Sequence, residues 1–218
     1  MSIDFAPIWA HRDQVIEGVL TTAALSAAGL AGSLLIGVPV GAAGASSVRR
    51  LRIAAIAYVE AARNIPVLLH IYLWYFAFAS LDLPAAVCAV LGLSVYSGAY
   101  AAEIVHAGLL AVPPGQADAA RALGLTRWRT WHLVSAPQAF RLVAPSLASL
   151  FSQMIKDSSL GSVIAVGELT YQAGAIEADT FRSVEVYAVV VISYVAIVSV
   201  VGHAVRRMPG RAASPQEA

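Results

Sequence analysis

One lysine, one cysteine and few charges of either sign set the first limits on this 218-residue chain. Charged residues make up 12% of it, about half of what an ordinary soluble domain carries, which argues against a water-soluble globule. The single lysine, Lys156, follows Ile155. A phosphate-binding loop needs Gly-Lys ahead of Ser or Thr, so this chain has no such loop. The single cysteine, Cys88, lies in an apolar run. It excludes an intramolecular disulfide and a multi-cysteine metal site, and reads as a small buried apolar residue. The histidines, His11, His70, His106, His132 and His203, fall in separate segments with no metal-ligand spacing. No charged start leads into a short apolar core as in a cleavable signal peptide. Alternating segments of the β-barrel kind are missing, and no internal repeat stands out. A net charge of +1 gives no case for a nucleic-acid partner.

What the chain does have is apolar length. Hydrophobic residues form 59% of it, in runs near the roughly 20 residues that cross a hydrocarbon core as a helix. The expectation is an all-α membrane protein of five transmembrane helices. Residues 1–14 read as an external lead, with Phe5 and Trp9 suited to the headgroup level. Residues 15–205 form the transmembrane domain, and 206–218 a cytoplasmic tail. The first span covers about 15–45, with Gly29, Gly32, Gly37 and Gly41 at spacings that let helices approach closely, and Pro39 placed to kink it. The second lies within 53–79 and should break at Ile65, because Pro66 disfavours the α conformation before it. The third covers about 84–110. The fourth covers about 139–155, interrupted by Pro145 and ending at Lys156 and Asp157. Residues 158–166 read as a short packed or re-entrant segment, and 168–185 as polar and acidic. The fifth span covers about 186–205.

Between the third and fourth spans stands a polar island, 113–137. Pro114 suits a first helical turn, and Asp118 and Arg121 form an i, i+3 pair. Ala117, Ala120 and Gly124 leave one side nearly bare. Gly124 can end the helix in a left-handed conformation, and Thr126 can cap a second short helix whose Trp128 and Trp131 reach the interface. Composition alone also allows a loop that merely joins two spans. In a five-span arrangement Arg49, Arg50, Arg52, Arg121, Arg127, Arg129, Arg141, Arg206, Arg207 and Arg211 share one side. The other side has Arg12 and Arg182 with several acids. The positive-inside rule then puts the island and the C-terminus in the cytoplasm and the N-terminus outside.

The run Asp118-Ala119-Ala120, then Gly124, then nine residues, then Val134-Ser135-Ala136-Pro137 resembles the EAA loop of ATP-binding-cassette importer permeases. Asp stands for Glu, Val for Ile and Ala for Leu, with the spacing kept. Other segments resemble the polar amino-acid branch of that family. Glu60-Ala61-Ala62-Arg63-Asn64-Ile65-Pro66 looks like the entry to its second span. Tyr100-Ala101-Ala102-Glu103-Ile104-Val105-His106-Ala107-Gly108 looks like its third span, with His106 where Arg is usual. Lys156-Asp157-Ser158-Ser159-Leu160 and Gly167-Glu168-Leu169-Thr170 look like later segments. The likeness covers about residues 15–205. It implies a multi-pass permease of the bacterial inner membrane that moves polar amino acids by alternating access. It further implies a second permease subunit, identical or related, an ATPase dimer carrying ATP and magnesium, and an external solute-binding protein. No cofactor is implied on this chain, and no catalysis. Gln116, Ala117, Asp118, Ala119, Ala120, Arg121 and Gly124 become the candidate ATPase-docking surface, on a cytoplasmic coupling helix between spans three and four.

Charges in or near the spans, Glu60, Arg63, Glu103, Lys156 and Asp157, form a second candidate set. An unpaired central charge costs about 2.5–3.5 kcal/mol on insertion scales, so each should face a cavity or a partner. Either they line a translocation pathway, with Glu103 drawing an ammonium and Arg63 a carboxylate, or they are ion pairs at span ends. Two rivals remain: an ion-coupled secondary transporter, which would carry inverted repeats, and an intramembrane enzyme, which would need a catalytic constellation that is not recognisable here.

Overall fold

The computed structural model describes residues 4–206. Arg207, Arg211 and the rest of the expected tail, with the first three residues of the lead, lie outside the described residues. Among the described residues there is no strand. A short helix, α1 (Ala6–Ala10), leads into α2 (Arg12–Gly44). At 1.5 Å per residue the 33 residues of α2 extend about 50 Å, and the helix continues through Pro39. The next helix, α3 (Arg49–Asn64), stops where expected. Ile65 is extended, at φ −98° and ψ 128°, because the ring of Pro66 excludes the helical conformation before it. Then α4 (Val67–Tyr72) passes into a π turn, Leu73–Ala77, and a 3₁₀ turn, Ala79–Leu81. The central helix, α5 (Ala85–Ala111), follows Pro84.

The polar island folds as α6 (Pro114–Ala122) and α7 (Arg127–Thr130), and α7 runs through a π turn, Trp131–Ser135, into α8 (Ala136–Asp157). The second helix of the island is therefore the start of the next long helix rather than a separate piece. The π turn has a cause in Pro137, which has no N–H to give Leu133 and whose ring crowds that carbonyl. After a 3₁₀ segment, Ser158–Ile164, residues expected only to be polar and acidic form α9 (Leu169–Thr180). The last helix is α10 (Ser183–Arg206). Three helices, α2, α5 and the 183–203 part of α10, are each long and apolar enough to cross a membrane. The expected second and fourth spans are different in kind. One is divided at Ile65 and Pro66, and the other carries Arg141, Lys156 and Asp157 on α8.

Small residues let these helices touch. A Cβ on Gly37 would lie 2.8 Å from the Gly98 carbonyl oxygen of α5, and one on Gly92 would lie 2.7 Å from the Ile71 nitrogen of α4. Both contacts are closer than any side chain allows, so α5 is held against α2 and α4 backbone to backbone. Around it Leu25, Ile71, Cys88, Leu93, Met154 and Ile164 form one buried cluster. A second cluster, Ile8, Leu169, Ile176 and Val186, ties α1 and α9 to α10. Large apolar side chains such as Leu20, Leu35, Ile192 and Val195 remain outside, as a helix surface facing lipid or another subunit requires.

Candidate functional site

Two regions carry the candidate residues. The first is α6 and its C-terminal turn. The Gly124 N–H donates to the Arg121 carbonyl at 2.9 Å, and the Leu125 N–H donates to the Ala120 carbonyl at 3.2 Å. Gly124 adopts φ +84°. These are the two bonds and the left-handed residue of a Schellman stop, so the helix ends at a defined place. Asp118 pairs with Arg121 along the same helix. Thr126 Oγ1 accepts from the Arg129 N–H at 3.4 Å and starts α7, as expected.

Gln116, Asp118, Ala119, Arg121 and Gly124 are exposed, and Ala117 is half-buried. Ala120 is turned inward, 6% exposed, where it supports the helix and offers nothing to a partner. Leu123, absent from the sequence-based set, is 85% exposed beside Gly124. It is the most prominent apolar group of the turn. Its signal in the sequence was slight, an apolar residue next to a helix-ending glycine.

The second region lies where α3 meets α5. Arg63 and Glu103 form an ion pair between the two helices. The Arg63 guanidinium also sits 5.0 Å from the Tyr100 ring centroid, in the range of a cation–π contact. The Tyr100 and Tyr96 hydroxyls are 3.2 Å apart. Gln153 Nε2 donates to the Asp157 carboxylate at 2.8 Å. Glu103, Arg63, Tyr100 and Tyr96 thus form a polar row between α3 and α5, while the bond from Gln153 is made within α8 to Asp157. Lys156 is exposed next to it, and the Glu60 side chain joins no ion pair among the described residues. The tyrosines of the row were missed; their i, i+4 spacing one turn before Glu103 was the available signal. Beyond Glu103, between α5 and α8, lies an open cavity of about 360 Å³ lined by Ala107, Gly108, Leu142, Val143 and Ser146 among others.

A third polar centre supports the scaffold. Glu168 is fully buried and caps α9, accepting from the N–H groups of Thr170 (2.9 Å) and Tyr171 (2.7 Å). The Tyr194 hydroxyl of α10 donates to the same carboxylate at 2.9 Å. Thr22 Oγ1 of α2 accepts from the Leu169 N–H at 3.1 Å. Burial pushes the Glu168 carboxyl above its ordinary range, and those hydrogen bonds work against the shift.

Long apolar helices packed through small residues, with a polar helix presented at one end and an ionisable row among the spans, define a helical membrane permease. The chain belongs to the family of binding-protein-dependent transport system inner membrane components, whose model matches residues 33–212. It is 35% identical to the glutamine transport system permease protein GlnP of Escherichia coli (strain K12), over 97% of this chain and 98% of that protein. It is 34% identical to the probable glutamine ABC transporter permease protein GlnM of Bacillus subtilis (strain 168), over 84% and 85% of the two. Among solved structures, one described as an amino acid ABC transporter with histidines superposes with a TM-score of 0.86 at 31% identity, covering 95% of this chain and all of that one. A chain of the methionine ABC transporter MetNI has the same fold, with a TM-score of 0.73 at 23% identity.

Proposed function

We propose that this chain is the permease subunit of an ATP-driven importer for polar amino acids, working by alternating access across the cytoplasmic membrane. ATP is hydrolysed, with magnesium, on a separate ATPase dimer that docks on α6. A second permease subunit completes the pathway, and an external binding protein delivers the solute. The N-terminus is outside, and α6 and the C-terminus are cytoplasmic. The observation that carries the docking role is α6 itself: a nine-residue helix with a fixed stop, exposing Leu123 beside a glycine. Such an end can enter a groove and transmit rigid-body motion to α5 and α8, the helices it joins. The Glu103–Arg63 row offers charges of both signs to the ammonium and carboxylate of an amino acid. The amino-acid permeases among its relatives support that substrate class.

The test uses the assembled transporter in proteoliposomes. Leu123→Asp should abolish ATP-driven uptake and release the ATPase on purification, while the permease still inserts and folds. Normal uptake in that variant would remove α6 as the dock. Uptake that survives vanadate but collapses with the ion gradient would instead establish the ion-coupled alternative.

A further inference from the structure

Just past α6, three aromatic rings form one exposed block. Trp128 and Trp131 stack with planes 18° apart and centroids 6.0 Å apart. The His132 ring packs edge-on against both, 4.1 Å and 4.8 Å from their centroids. Trp128 is 69% exposed and Leu133, next along, 66%. Arg127 and Arg129 flank Trp128, exposed and in no ion pair among the described residues. Arg121 is occupied by Asp118, but no carboxylate occurs anywhere between Asp118 and Asp157. The block is also continuous with α8, whose Phe140 and Leu142 are exposed beside an exposed Arg141.

We propose that the Trp128–Trp131–His132 block, with Arg127 and Arg129, is a binding site for anionic phospholipid headgroups of the cytoplasmic leaflet. It would pin the start of α8 at the bilayer surface beside the coupling helix. The inference rests on the cytoplasmic placement of α6 proposed above. Three observations favour lipid as the occupant. Tryptophan prefers the headgroup level, where its ring is half in hydrocarbon. The charge of the patch is of one sign, opposite to that of the inner leaflet. And its apolar side chains continue into the exposed Phe140 of α8, the helix expected as the fourth span. A docked protein would more commonly meet charges of both signs, as α6 itself presents with Asp118 and Arg121. Lipid bound here would hold α8 while α6 moves with the ATPase, so anionic lipid would set how fully ATPase motion reaches the spans.

The experiment uses the full chain, read first without its ATPase and again after the ATPase is added. Replacing Trp9 and Trp74 by Phe leaves Trp128 and Trp131 as the only tryptophans. The permease is placed in nanodiscs of phosphatidylcholine, or of equal parts phosphatidylcholine and phosphatidylglycerol, each with a lipid spin-labelled near its headgroup. Strong quenching is expected in the mixed bilayer. It should fall about fivefold per arginine in effective lipid occupancy on Arg127→Gln and Arg129→Gln, and also fall in high salt. In the otherwise natural chain, the same double variant should carry less co-purified phosphatidylglycerol. Quenching and bound lipid that both ignore bilayer charge and the arginines would overturn the proposal. So would an emission change that appears only when the ATPase binds, which would assign the block to the protein interface. Because quenching is read without transport, Leu123→Asp should leave it unchanged, which separates this site from the dock.

Discussion

Gly124 and Leu123 are neighbours with different burdens, and substitutions can tell them apart. Gly124 has φ +84° and open space around its missing side chain. Gly124→Ala therefore meets no clash but costs about 1–2 kcal/mol of backbone strain. Leu123 is strain-free and exposed, so Leu123→Ala should change the stability of the isolated permease by no more than about 0.5 kcal/mol. If Leu123 fills an ATPase groove, the same change should weaken ATPase binding about tenfold or more, in line with 1.5–3 kcal/mol for a buried leucine. Titration of detergent-solubilised permease with ATPase measures both quantities. A binding loss that tracks Gly124→Ala but not Leu123→Ala would mean that helix geometry, not side-chain burial, makes the dock. A second residue-scale prediction concerns Glu103. Its ion pair with Arg63 is 40–45% exposed on both sides, and pairs that open contribute about 0–1 kcal/mol. Glu103→Gln should leave folding nearly intact and raise the KM for amino-acid uptake, with ATPase binding retained. Unchanged uptake kinetics would make the pair structural only.

At the scale of elements, the endings were legible and the long-range partners were not. Pro66 announces the end of α3, and Gly124 the end of α6, because each acts on its own backbone within a residue or two. The glycines of α2 likewise announced a close packing face, though not that α5 is the helix they meet. The segment 168–185 reads only as polar and acidic, and its helix and its burial go unannounced for the opposite reason. Glu168 is buried, taking the hydroxyl of Tyr194 while its neighbour Leu169 donates to Thr22, both far away in the chain. Nothing local marks a carboxylate that caps a helix inside the fold. That carboxylate leads to a pH prediction. Its folded pKa is raised by burial, so the folded chain holds the proton more tightly than the unfolded one. This contribution to stability is fully present below the ordinary carboxylate range and is lost as pH rises through the raised value. Thermal unfolding of the detergent-solubilised permease should show a midpoint that falls over that window. In Glu168→Gln the fall should vanish, even if the variant is less stable throughout. An equal pH slope in both proteins would place the titration elsewhere.

For the whole molecule, the fold was readable as a class because composition and run length alone demand a helical membrane protein; the path of each span was not. Among the described residues three helices are long and apolar enough to cross. The divided α3–α4 segment and the charged α8 owe their place to packing against α5, which no local window of sequence contains. The orientation proposed for the ends rests on arginine placement: Arg49, Arg50 and Arg52 after α2, and Arg121, Arg127, Arg129 and Arg141 around α6 and α8. Only an odd number of crossings between the N-terminus and the C-terminus keeps these groups together with Arg206 on one face. Reading α3–α4 as no crossing at all would put the α2 and α6 arginines on opposite sides and forfeit the charge bias. The topology is therefore decided by one site on α6. Gln116→Cys, made with Cys88→Ser so that no other thiol is present, should resist a membrane-impermeant maleimide in intact cells and react once the membrane is opened. Asp13→Cys should behave the other way round. Labelling of position 116 from outside would invert the molecule, take the ATPase dock away from ATP, and with it the coupling role of α6.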